Sequence, residues 1–73
     1  MTWKELYGLS LRKGPAATQE LLRLCLAAVE SSPRPALRAA LGDVRILGLY
    51  ALCDGLDAHG ELAPNDGPEL HMR

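Results

Sequence analysis

Apolar positions recur at helical spacing from the first residues to Leu56, where the pattern fades. Trp3, Tyr7 and Leu11 stand at i, i+4 and i+8 and form one stripe, with Leu6 and Leu9 beside it. Thr2 and Glu5 have the spacing of a capping box, and Met1 and Leu6 occupy the two positions of a hydrophobic staple. Gly14-Pro15 is a stop signal. A first helix is therefore expected from Trp3 to about Lys13. A second follows from about Ala16 to Glu30. Its apolar residues, Ala17, Leu21, Leu22, Leu24, Cys25, Leu26, Ala28 and Val29, cover more than half the circumference. A surface helix has a narrower stripe, so this one should touch two neighbours and keep a wet face at Gln19, Glu20, Arg23 and Glu30.

Ser31-Ser32-Pro33-Arg34-Pro35 breaks the pattern, because two prolines remove backbone donors and restrain the residues before them. Pro35 suits the first turn of a third helix carrying Leu37, Ala40 and Leu41. Gly42-Asp43 reads either as a stop followed by a new N-cap or as a bend within one helix. The last helix is expected from about Asp43 to Leu56. Its core is the stretch 44–53, in which eight of ten residues are hydrophobic and Arg45 is the single charge. Read as one helix, it divides into a small face (Val44, Gly48, Ala51, Gly55) and a bulky face (Ile46, Leu49, Tyr50, Cys53, Leu56). His59-Gly60 and Asn65-Asp66-Gly67-Pro68 are turn or coil signals. The expectation is an all-α bundle or hairpin of three to four short helices in one domain, residues 1–63, with a mobile tail over 64–73.

Length sharpens this picture. A chain of 73 residues buries only roughly 60% of the surface its unfolded form exposes. A helix apolar on all sides must be covered on all sides, and so short a chain has little to cover it with. The expected outcome is a core completed by another protein or by a second copy in a homodimer. Candidate partner-binding residues are Arg45, Leu49, Tyr50, Leu52 and Leu56, with Trp3 and Tyr7 as aromatic anchors. Arg45 would lie between Leu49 and Leu52. It either snorkels to water over its own stem or meets an acidic group on the partner.

Composition narrows the function classes. Fifteen Leu and ten Ala favour helix. A net charge of −1 lacks the basic footprint of a nucleic-acid binder. No apolar run reaches the ~18–20 residues that cross a bilayer. Met1 leads directly into a helix signal, which reads as a complete cytoplasmic chain without a targeting peptide. The content of Arg, Ala, Gly and Leu suggests a GC-rich bacterial or phage genome. Cys25 and Cys53 both sit in apolar helical patterns, so free buried thiols are expected, with a bridge between adjacent helices as the alternative.

Candidate chemistry is sparse. Cys53, Asp54, Asp57, His59 and Glu61 form a dense group of ligand-type residues, but their spacing matches no zinc or calcium motif, and a polar helix end explains them. Cys25 is surrounded by leucines rather than by the electropositive setting a nucleophile needs. No enzyme activity, cofactor or metal is expected. Two further readings exist. Residues 35–56 have the outline of helix, turn and helix, as in a DNA-binding regulator, yet the second helix would read DNA with Arg45 alone. The opening Trp3-Lys4-Glu5-Leu6, with Ala27 and Pro33, resembles one tetratricopeptide repeat, although Gly8, Ser10 and Gln19 depart from its pattern. That resemblance implies protein binding.

Overall fold

A computed structural model describes residues 1–41 and 44–64, except for the side chains of Val44 and Arg45. Within these residues the chain is all-α: α1 (Trp3–Lys13), α2 (Pro15–Ser31), α3 (Pro35–Leu41), α4 (Val44–Leu47) and α5 (Leu49–Ala58). The break expected at Gly42-Asp43 and the tail from residue 65 lie outside the described residues.

The N-terminus of α1 shows how local and distant groups share one task. Helix starts leave four backbone N–H groups without intrahelical partners. Here Thr2 N–H donates to Glu5 Oε1 at 2.7 Å and Glu5 N–H donates to Thr2 Oγ1 at 3.1 Å, which completes the expected capping box. The other two donors, Trp3 N–H and Lys4 N–H, reach the carboxylate of Asp57 at 2.9 and 3.0 Å. Asp57 lies at the far end of α5, so a tertiary contact finishes a local cap. At the other end, Gly14 takes φ +115° and ends α1, and Pro15 opens α2 directly.

One cluster of side chains forms the core, drawn from α1, α2, α3 and α5. On α2, Ala17, Leu21, Cys25 and Val29 run along one line at i+4 spacing. α3 adds Leu37 and Leu41, and α5 adds Leu52, Cys53 and Leu56. On α1 the buried line is Trp3, Leu6 and Ser10. Of the expected stripe only Trp3 is core; Tyr7 is half-buried and Leu11 is 58% exposed. Ser10 tolerates burial because its hydroxyl donates to the Tyr7 carbonyl at 2.8 Å.

The expected continuous last helix is a correction. Gly48 has φ +80° and ψ 160°, outside the helical region, and separates α4 from α5. Only glycine adopts that conformation without strain. The all-round apolar helix therefore does not exist. The small face is dispersed as well: Gly48 and Ala51 are exposed, and Gly55 packs under Leu41.

α5 closes on a Schellman arrangement. Glu61 N–H donates to the Leu56 carbonyl at 2.9 Å and Gly60 N–H to the Asp57 carbonyl at 3.0 Å, with Gly60 at φ +79°. The chain beyond is tied to the α2–α3 junction. Ser32 Oγ donates to Glu61 Oε2 at 2.9 Å, and the Arg34 guanidinium donates to the His59 carbonyl and lies 3.8 Å from Glu61.

Candidate interaction surface

α1 and α5 run antiparallel, as three pairings along them show. Trp3 and Lys4 meet Asp57, Lys4 meets Asp54 at 3.0 Å, and Tyr7 meets Tyr50. The Tyr7 and Tyr50 rings are 5.5 Å apart with an interplanar angle of 61°, an edge-to-face contact. Tyr7 is half-buried by this arrangement and Tyr50 remains 54% exposed. One turn further along α1 stands Leu11. The antiparallel direction carries it toward the end of the pair where α4 joins α5. There Ile46 is 79% exposed, while Leu47 and Leu49 pack partly against the core. Tyr7, Leu11, Ile46 and Tyr50 are the apolar side chains that α1, α4 and α5 leave partly or largely in solvent. A hydrogen bond to Asp54, reinforced by its charge, holds the Lys4 ammonium above its ordinary value.

The residues expected to meet a partner divide into three groups. Trp3, Leu52 and Leu56 are core side chains, buried among α1, α2, α3 and α5. The Trp3 indole N–H has no hydrogen-bond partner among the described residues. Tyr7, Leu49 and Tyr50 lie at the edge of the core with part of each side chain in solvent. Arg45 falls outside the side chains described. Leu11 and Ile46, which the sequence places on the α1 stripe and on the bulky face, were not singled out for a partner; both are more than half exposed.

The ligand-type cluster after residue 52 is taken apart by the fold. Cys53 points into the core against Cys25, Asp54 pairs with Lys4, Asp57 caps α1, and Glu61 joins Ser32 and Arg34. Among the described residues, no three of His, Cys, Asp and Glu come together as a metal site. Nor is any helix among them long and apolar enough to cross a membrane. What the fold defines is a small all-α helical bundle. Comparisons with protein-family models, with curated proteins and with solved structures find no match to the chain.

Proposed function

We propose that this chain is a small protein-interaction module, an adaptor, inhibitor, co-chaperone or accessory subunit, that binds through the apolar side chains α1, α4 and α5 leave in solvent. The observation that carries the reading is Ile46. It is a large aliphatic side chain left 79% exposed on a one-turn helix, and Tyr50 on the following helix is 54% exposed. A chain of this size gains much by covering such side chains. The partner is another protein or a second copy, and association is driven by area burial with Tyr50 as the aromatic anchor. A DNA-binding role has less support, since α5 contains no Lys or Arg and exposes Asp54. Free buried thiols at Cys25 and Cys53 are compatible with a reducing compartment such as the cytoplasm.

The test pairs sedimentation over a concentration series with affinity capture from the native host. Wild type is compared with Ile46→Lys and with Leu11→Lys. Both replaced side chains are more than half exposed, so both variants should fold as wild type does. Self-association or a captured partner that is lost in the variants supports the proposal. A wild-type monomer that captures nothing, or association that survives both substitutions, overturns it.

A further inference from the structure

The two cysteines are 28 residues apart in sequence and sit on different helices, yet their sulfurs are 3.7 Å apart. Both side chains are fully buried. Cys25 stands in the α2 line between Leu21 and Val29, and Cys53 stands on α5 between Leu52 and Leu56. A disulfide needs its sulfurs at about 2.0 Å with the two side chains directed at each other. The fold already supplies the approach.

We infer that Cys25 and Cys53 are a reversible disulfide site, a staple between α2 and α5 that low-molecular-weight disulfides of the glutathione class close and thiols open. In the first step the Cys53 thiolate attacks one sulfur of the reagent. The reagent's S–S bond breaks, one thiolate leaves, and Cys53 carries a mixed disulfide. The Cys25 thiolate then attacks the Cys53 sulfur and expels the second reagent thiolate. Two protein thiols and one reagent disulfide become one protein disulfide and two reagent thiols. The two electrons pass from the protein sulfurs to the reagent, and the two thiol protons end on the expelled thiolates.

The order of attack follows from the shared hydrogen bond. Hydrogen bonding with Cys53, with burial adding to it, pushes the Cys25 thiol up. The same contact draws the Cys53 thiol down, so Cys53 is the sulfur that ionises first. Because the pair is buried, the reagent reaches it only when the surrounding helices open locally, and closure is slow but favoured once formed. The loop it closes contains α3 and α4, the two shortest helices. The staple therefore ties the helices on either side of that stretch.

Linkage supplies the test. If the fold holds the sulfurs together, folding favours the disulfide and the disulfide favours folding by the same factor. The full-length chain is equilibrated in buffers of graded oxidised-to-reduced glutathione ratio, in native conditions and again in concentrated urea. After acid quench and alkylation, intact mass counts free thiols and adducts. The expected product is a monomer with no free thiol and no bound glutathione. It should form in the folded chain at a ratio at least about tenfold less oxidising than the urea-denatured chain requires. The oxidised protein should melt on the order of 10 °C above the reduced one. A smaller separation between folded and denatured chains, or mixed adducts or covalent dimers as the main product, overturns the inference.

Discussion

Two glycines in helix interiors show how much a single hydrogen means when the surroundings differ. A Cβ added to Gly8, in the middle of α1, would meet nothing within 4 Å. A Cβ added to Gly55, in α5, would lie 2.6 Å from one terminal methyl carbon of Leu41 and 3.3 Å from the other. Alanine is preferred to glycine in a helix interior by about 0.8–1.0 kcal/mol at either site. At Gly8 that preference stands alone, so Gly8→Ala should stabilise the protein by roughly 0.5–1 kcal/mol in urea denaturation. At Gly55 it is opposed by overpacking, typically about 1–3 kcal/mol where the neighbour is itself confined. Leu41 is a buried side chain, not a free surface one. Gly55→Ala should therefore destabilise by about 1 kcal/mol net. Opposite signs for one chemical change are the expected result, and equal signs would place α3 and α5 at a different distance.

At the scale of elements, two junctions decide the fold and each makes a prediction. Gly48 separates α4 from α5 with φ +80°. Any L side chain forced into the left-handed region costs roughly 1–2 kcal/mol, so Gly48→Ala should lower stability by about that amount. Had α4 and α5 been one helix, the same substitution would have raised it by close to 1 kcal/mol. The second junction is Asp57 at the start of α1, where one carboxylate serves two backbone donors. Asp57→Ala should cost about 1–2 kcal/mol in denaturant unfolding, with Asp57→Asn recovering part of the loss. Thr2 and Glu5 retain the local half of the cap in both variants.

These junctions also mark how far the chain can be read unaided. Thr2–Glu5, Gly14-Pro15, Pro35 and His59-Gly60 act within a few residues, so their spacing alone identifies three helix starts and two stops. Asp57 looked like part of a polar helix end. Its role depends on a contact 54 residues away, which spacing cannot register. Gly48 fits a helical plot as well as any small residue, and nothing nearby announces a positive φ. Read as one helix, the segment puts Ile46 on the same bulky face as Leu49, Cys53 and Leu56; with the break at Gly48, Ile46 is exposed while Cys53 and Leu56 are core. Of the residues expected at a partner, Leu52 and Leu56 are core, whereas Tyr7 and Tyr50 stand at its edge.

For the whole molecule, the question is which apolar side chains are needed to fold and which are left to meet something else. Leu52 and Leu56 are fully buried, and truncating a buried leucine to alanine costs about 2–5 kcal/mol. In a small domain whose total stability is of the order of 5 kcal/mol, Leu52→Ala should leave about 0–3 kcal/mol, so that as much as half of the protein is unfolded at room temperature. Ile46 and Leu11 carry no such burden, because more than half of each side chain already faces water. A lysine at either position keeps its stem against the surface and its ammonium in solvent, so each variant should unfold within about 0.5 kcal/mol of wild type. Stability measured beside association then separates the two roles. A variant that melts like wild type and no longer associates has lost a contact surface. A variant that associates less only because it is partly unfolded has lost core. The expected outcome for Ile46→Lys and Leu11→Lys is the first, and for Leu52→Ala the second. If Ile46→Lys instead unfolds the chain, α4 is packed against the bundle and the surface drawn through it does not exist.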